Sequence, residues 1–129
     1  MNVLGVDYGS KNIGLAKANT GVSVVLPFGI IDNHDSVLAI KKLNQVVVEE
    51  KIEKIIAGLP FNFDGTENKN TVKIRDFFNQ VQAVCRIPVE FVTEVFSSQA
   101  GDRMGPGVSR DEKAAMIILQ SYFDTQSKE

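Results

Sequence analysis

The chain has 129 residues, of which 43% are hydrophobic and 23% are charged, and its formal net charge is −2. This composition is typical of a soluble globular protein, and we expect a single domain spanning 1–129. The slight acidity argues against an extended basic surface, and no apolar stretch approaches membrane-spanning length. The single cysteine excludes an internal disulfide, and the N-terminus shows no leader pattern. Both features predict a cytoplasmic protein.

The first third of the chain predicts three strands. An apolar run at 2–7 predicts a buried strand that ends on Asp7. A glycine-containing turn follows, because glycine reaches positive φ without steric cost, and leads to a return strand at 12–17. A third strand is predicted at 22–31, where Pro27 marks an edge or a bend.

The rest of the chain alternates between helical and extended patterns. In order we predict a helix at 37–50, a strand at 52–58, a helix at 66–84 capped by Thr66, a strand at 87–93, a short helix capped by Ser97 or Ser98, and a helix at 110–124. A meander followed by β-α-β-α units predicts an α/β fold with a mixed five-stranded sheet flanked by helices. The later strands should run parallel to the first.

Three carboxylates are predicted to meet at one edge of this sheet. The functional crevice of such sheets lies at the carboxyl ends of the parallel strands, where Asp7 and Glu94 stand. Asp111 falls on the inward, apolar face of the last helix. Its neighbour Glu112 is expected to be rotated away and to form a capping box with Ser109.

Carboxylates placed this close raise each other's pKa and destabilise the fold unless a cation compensates them. Their hard oxygen donors suit Mg²⁺ or Mn²⁺, and two such ions about 4 Å apart support phosphodiester hydrolysis by an activated water. Simpler explanations exist for two of the acids. Asp7 could merely stabilise a hairpin turn, and Asp111 could be favoured only by the helix dipole.

Several side chains near the predicted crevice are candidates for contacts with nucleic acid. Lys11 lies in the hairpin turn beside Asp7, and Thr66 precedes a predicted helix N-terminus that could hold a phosphate. Lys69 and Arg110 belong to small basic clusters, for which a solvated surface is the ordinary explanation. His34 lies in a polar loop away from the acids and is expected at the surface.

Three segments of the chain resemble the YqgF/RuvX family, the Holliday-junction-resolvase-like proteins with an RNase H-like fold. The first is GVDYG at 5–9 with GLA at 14–16. The second, GLP at 58–60 with DGT at 64–66, is similar to the family's GLP…DGT segment. The third, 114–122, is similar to its AA…ILQSY helix. The resemblance covers essentially the whole chain in order.

The resemblance implies a bacterial cytoplasmic nuclease that processes the 5′ end of pre-16S rRNA during ribosome biogenesis. The family was first proposed to resolve Holliday junctions, so DNA is the alternative substrate, and a two-fold junction would need a homodimer. By position, Asp7, Glu94 and Asp111 match the family's acidic residues, which implies that they are catalytic and hold Mg²⁺ or Mn²⁺. RNA is favoured over DNA as the partner.

One segment departs from the family pattern. The family usually carries Asp-Glu-Arg after its fifth strand, where this chain has Thr93, Glu94 and Val95. A valine cannot replace the bidentate hydrogen bonds of an arginine to phosphate or carboxylate. A catalytically weak or inactive RNA- or protein-binding module on the same scaffold is therefore the alternative. An actin-type ATPase, which shares the opening Asp-x-Gly, would need a second such domain.

Overall fold

The computed structural model describes residues 1–22, 24–60, 65–93 and 107–127. In chain order its elements are β1 (Asn2–Asp7), β2 (Asn12–Asn19), β3 (Val25–Asp32), α1 (Ser36–Glu49), β4 (Lys54–Leu59), α2 (Lys69–Cys85), β5 (Val89–Thr93) and α3 (Arg110–Ser127). Each of these confirms a predicted strand or helix, with ends moved by a few residues. Glu94, and the short helix predicted after Ser97 or Ser98, lie outside the described residues.

The strands form one mixed sheet in the order β3-β2-β1-β4-β5. β2 pairs antiparallel with both β1 and β3, whereas β4 pairs parallel with β1 and with β5. The predicted α/β architecture, a five-stranded sheet with later strands parallel to the first, is confirmed. Pro27 lies in β3, an edge strand, where a residue without an N–H removes no bond from the interior of the sheet.

Helices cover both faces of the sheet. α1 and α2 pack on one face, burying Leu4, Val6, Leu15, Ile55 and Phe78 among others. α3 packs on the other face, against the side chains of Val3, Ala16, Ala18 and Ile56. None of the described helices is long and apolar enough to cross a membrane. They are amphipathic helices that pack their apolar faces on the sheet, and this burial of apolar surface stabilises the domain.

Small residues on the sheet allow α3 to approach it closely. A Cβ added at Gly5 would lie 2.6 Å from Leu119 Cγ and 2.8 Å from the Ala115 carbonyl oxygen. A Cβ added at Gly14 would overlap the backbone of Asp111. The glycines of β1 and β2 therefore set the height of α3 above the sheet, and with it the position of its first turn.

The prediction that Thr66 caps the second helix is wrong, because Asn68 takes that role. Its side-chain oxygen accepts hydrogen bonds from the N–H groups of Asn70 at 2.9 Å and Thr71 at 3.0 Å. The Thr71 hydroxyl oxygen in turn accepts the Asn68 N–H at 3.1 Å, which closes a capping box. The same buried hydroxyl donates to the Pro60 carbonyl at 2.6 Å. This contact ties the start of α2 to the end of β4.

Candidate functional site

Asp7 is the last residue of β1 and lies on the α3 face of the sheet. Side chains alternate along a strand, and Val3 and Gly5 contact α3 whereas Leu4 and Val6 belong to the opposite core. Asp7 shares the parity of Val3 and Gly5, and it is half-buried. Its carboxylate is therefore carried to the carboxyl edge of the sheet on the side that α3 covers.

The backbone of Asp111 packs on Gly14, the residue paired with Asp7. Gly14 is the register partner of Asp7 in the β1–β2 pair, so both residues direct their Cβ positions to the same face. The Cβ position of Gly14 is filled by the backbone of Asp111, in the first turn of α3. Asp7 and Asp111, which are 104 positions apart in the chain, thus lie on either side of the same glycine. The third predicted carboxylate, Glu94, is not among the described residues.

Glu112 makes the predicted capping box but also contacts the sheet. Its N–H donates to Ser109 Oγ at 3.1 Å, and its Oε1 accepts both the Ser109 N–H at 3.3 Å and the Ser109 hydroxyl at 2.8 Å. The other carboxylate oxygen, Oε2, accepts the Gly29 N–H of β3 at 2.8 Å. The expectation that Glu112 is rotated away is therefore wrong, because α3 starts above the β2–β3 pair. The Gly29 N–H, together with Ser109, holds the pKa of Glu112 below its usual value.

Asn33 fixes the turn between β1 and β2, a role that sequence reasoning missed. Its N–H donates to the Lys11 carbonyl at 2.8 Å, and its side-chain amide donates to the Gly9 carbonyl at 2.8 Å. Asn33 is only 7% exposed. Its position directly after β3 was the one available signal, but an asparagine there is also an ordinary loop residue. The turn that follows Asp7 is thereby held against the end of β3.

The candidate nucleic-acid residues lie at the same edge of the sheet. Lys11 is in the β1–β2 turn, Lys69 begins α2 just beyond the end of β4, and Arg110 begins α3; all three are exposed. Lys69 also lines an open cavity of about 630 Å³ with Glu67, Asn68 and Val72. Thr66 lies before the helix cap rather than at it.

Further contacts of charged and aromatic side chains lie near this edge. Lys73 Nζ of α2 lies 6.0 Å from the centroid of the Tyr8 ring, and that ring packs on Phe77 at 4.8 Å. The residue after Asp7 therefore presents an aromatic face to a cation. Arg75 pairs with Glu67 and lowers the pKa of that carboxylate. His34 is exposed, as predicted, and its Nδ1 lies 2.8 Å from Asp32 Oδ1, a contact that lowers the pKa of Asp32.

The donor chemistry at the sheet edge fits a divalent cation. Asp7 and Asp111 provide carboxylate oxygens, the donors that Mg²⁺ and Mn²⁺ prefer. Over the residues that the structure describes, no group of three or more His, Cys, Asp or Glu side chains could hold a metal ion. Asp7 and Asp111 are the two predicted ligands that lie among the described residues, and Glu94, the third, lies outside them.

The fold is that of the RuvC-type Holliday junction resolvases, an RNase H-like fold. Thermus thermophilus RuvC superimposes with a TM-score of 0.65 at 12% identity, over 99% of this chain and 97% of that one. The fowlpox virus resolvase, solved with Holliday junction DNA, superimposes with a TM-score of 0.64 at 14% identity, over 98% of this chain and 99% of that one. At these identities the likeness defines the fold.

The chain belongs to the RuvX family, described as Holliday junction resolvase, whose family model matches residues 1–125. A relative from Caldanaerobacter subterraneus subsp. tengcongensis is 33% identical over 136 residues and covers 98% of both chains. One from Bordetella pertussis is 33% identical over 127 residues, covering 98% of this chain and 96% of its own. Both relatives are provisionally named pre-16S rRNA nuclease. The resemblance noted from the three sequence segments is confirmed.

Proposed function

We propose that this protein is a metal-dependent nuclease that hydrolyses phosphodiester bonds in structured RNA, with the 5′ end of pre-16S rRNA as its substrate. The observation that carries the proposal is the placement of the Asp111 backbone on Gly14, the register partner of Asp7. Membership of the RuvX family, and relatives named for pre-16S rRNA, support the same activity. We place the protein in the cytoplasm as a single domain over 1–129.

The acidic residues Asp7, Glu94 and Asp111 would hold the metal ions. Two bound Mg²⁺ or Mn²⁺ ions would supply Lewis-acid activation of a water and would stabilise charge on the leaving oxygen. The chain's own contribution is to fix the carboxylates before substrate arrives. β1 and α3 are regular elements packed on one core, so neither Asp7 nor Asp111 depends on a loop for its position.

The exposed basic residues would bind the phosphates on either side of the scissile bond. The carboxyl edge of the sheet carries three of these residues, each at the start of a helix or in a turn: Lys11, Lys69 and Arg110. A nucleic-acid strand that crosses this edge would therefore pass all three. Thr66, just before α2, is the weaker candidate in this group. Backbone contacts of this kind position a nucleic acid without reading its sequence.

A DNA junction is the second candidate substrate, favoured by the fold shared with resolvases solved on Holliday junctions. Cutting a junction symmetrically requires two active sites, so this activity would need a homodimer. A binding module without catalysis is the other alternative. It is favoured by Thr93 and Val95, which stand where the family carries an acid and an arginine.

The test is cleavage of a labelled precursor rRNA fragment and of a four-way DNA junction, each with Mn²⁺ or with EDTA. We expect cutting of the RNA with Mn²⁺ and none with EDTA. Asp7→Asn should keep its circular dichroism and unfolding midpoint while cleavage falls by about 10²–10³-fold, the usual loss when one electrostatic group of an active site is removed. Asp76→Asn, an exposed acid on α2, is the charge-matched control and should cleave normally.

Cleavage that persists in Asp7→Asn would contradict the metal site. A folded wild type that binds precursor rRNA but cuts neither substrate would favour the binding module, and the substitution Val95→Arg would then be the first to try. Preference for the junction by a protein that sediments as a dimer would favour the resolvase.

A further inference from the structure

The edge strand β3 carries a bulge beside the candidate site. Gly14 of β2 pairs with Ile30, but Ala16 pairs with Pro27, so two residues of β3 lie opposite the single residue Leu15. The second bulge residue, Gly29, has φ = +92°, a conformation that glycine adopts without strain. The bulge turns the Gly29 N–H toward α3, where it donates to Glu112.

Glu112 uses its two carboxylate oxygens on two different parts of the molecule. Oε1 accepts the Ser109 N–H at 3.3 Å and the Ser109 hydroxyl at 2.8 Å and so belongs to the helix cap, whereas Oε2 accepts the Gly29 N–H at 2.8 Å. Helix capping alone needs only the contacts of Oε1. The contact of Oε2 joins the first turn of α3 to a strand 83 residues earlier in the chain.

This hydrogen bond lies next to the row of residues that forms the candidate site. Ile30, Gly14 and Asp7 are paired across β3, β2 and β1, and the Asp111 backbone rests on Gly14. Gly29 precedes Ile30, and Glu112 follows Asp111. The turn that carries Asp111 is therefore in contact with the sheet on Gly14 and is tied to β3 one residue further along.

We propose that Glu112 is a positioning residue of the metal site: through the β3 bulge it fixes the first turn of α3, and thereby the distance between the Asp111 and Asp7 carboxylates. This inference rests on the proposed function, since it assigns to Glu112 a role in the site formed by those acids. Glu112 itself is not proposed as a metal ligand. Groups that orient metal ligands usually change metal affinity by 10–100-fold when they are removed.

Four variants distinguish the effects of side-chain length, side-chain charge and helix capping. Glu112→Gln keeps the length of the side chain and an acceptor oxygen without the charge. Glu112→Asp keeps the charge but is one methylene too short for Gly29, and it is favourable near a helix N-terminus, so it should fold. Ser109→Ala removes the cap hydroxyl and leaves the Gly29 contact. Asp111→Asn removes the proposed ligand itself.

Two measurements are made on each variant: the Kd of Mn²⁺ by electron paramagnetic resonance, and the amide hydrogen exchange rate of Gly29 without metal. We expect Glu112→Asp to weaken Mn²⁺ binding about tenfold, in the range usual for orienting groups, and to speed Gly29 exchange. Glu112→Gln and Ser109→Ala should stay close to wild type in both measurements.

Weakening by Glu112→Gln that equals or exceeds the weakening by Glu112→Asp would show that Mn²⁺ affinity does not depend on the reach of the side chain to Gly29, and would overturn the positioning role. Normal Mn²⁺ affinity in Glu112→Asp, with fast Gly29 exchange, would overturn it as well while leaving the nuclease proposal intact. A wild type that binds no Mn²⁺, or Asp111→Asn that binds as tightly as wild type, would instead overturn the metal site. The role of Glu112 would fall with it.

Discussion

Gly14 is the residue on which the geometry of the candidate site depends most directly. It is the position where β2, Asp7 of β1 and Asp111 of α3 meet, and it has no room for a side chain. Any Cβ at this position overlaps backbone atoms, which cannot rotate away as a side chain can. The neighbouring helix must therefore move as a whole to accommodate even one methyl group.

We predict that Gly14→Ala destabilises the protein by about 1–3 kcal/mol, the usual cost of overpacking a close contact. It should also lower nuclease activity by about a hundredfold, because a displacement near 1 Å of a catalytic group has effects of that size. Urea unfolding and cleavage of the precursor rRNA fragment measure the two effects. Gly21→Ala, in the β2–β3 turn, is the control and should change neither by much.

A Gly14→Ala protein with lower stability but full activity would mean that α3 can shift without disturbing the site. The relative position of the Asp7 and Asp111 carboxylates would then be set by contacts other than the one at Gly14.

The positions of Asp7 and Asp111 in the fold were predictable from sequence, but the contacts that hold their surroundings in place were not. Asp7 ends an apolar strand and Asp111 lies on an apolar helix face, so strand and helix periodicity identify both. Glu112 and Asn33 make their decisive contacts with backbone groups far away in sequence or across a turn. Hydrogen bonds to backbone atoms leave no residue pattern at the accepting or donating position. Side chains that hold a site in place are therefore harder to predict than those that form it.

At the scale of elements, β4, β5 and α3 are joined by the side chain of Lys54. Its ammonium group donates to Glu90 Oε1 on β5 at 2.8 Å and lies 5.3 Å from the centroid of the Tyr122 ring. The hydrogen bond to Glu90 is the main cause that raises the pKa of Lys54 above its ordinary value of 10.5. The charged form is thus favoured in the folded state. Its stabilising contribution is complete below pH 10.5 and is lost as the pH rises through the higher, folded-state pKa.

We predict that Lys54→Met lowers the free energy of unfolding by about 0.5 kcal/mol at pH 8, a small value because the Glu90 side chain is 40% exposed to solvent. At pH 11 the difference between wild type and variant should narrow, because Lys54 begins to lose its proton. Urea unfolding at the two pH values measures the difference. Lys51→Met, at an exposed position before β4, should show no such pH dependence. A gap that stays constant between pH 8 and pH 11 would contradict the assignment to the ion pair.

Element types were predicted better than element ends. Apolar spacing of 3.6 or 2 residues distinguishes helix from strand over a whole segment, and the meander followed by alternation fixes the sheet topology. The start of α2 was misplaced because Thr66 and Asn68 are both acceptable caps by residue type. The buried hydroxyl of Thr71, bound to Pro60, decides between them. Such a choice depends on tertiary contacts that no local pattern contains.

At the scale of the whole molecule, the net charge of −2 limits how nucleic acid is attracted. A protein without net positive charge gains no general electrostatic steering, so binding must depend on the few cations at the carboxyl edge of the sheet. The proposed contacts are Lys11, Lys69 and Arg110, all exposed and all on that edge. Each phosphate contact releases counterions, which makes affinity fall with salt in proportion to the number of contacts.

We predict that the affinity for single-stranded precursor RNA, measured with Asp7→Asn to prevent cutting, falls with a slope of about −2 in log K against log salt. Three contacts at about −0.7 each account for that value. Removing two of them with Lys11→Gln and Lys69→Gln should reduce the slope to about −0.7.

The matched control replaces two cations at the opposite edge, Lys51→Gln and Arg86→Gln. Lys51 lies shortly before the start of β4, and Arg86 lies shortly before the start of β5. Both are therefore far from the proposed RNA contacts, and their substitution should leave the slope unchanged. A wild-type slope much steeper than −2 that the Lys11 and Lys69 substitutions leave unchanged, and that the control pair reduces, would indicate that the RNA binds at the opposite edge. The carboxylates at the carboxyl edge of the sheet would then lie beyond the reach of the bound RNA, so this one titration tests whether binding and chemistry share an edge of the sheet.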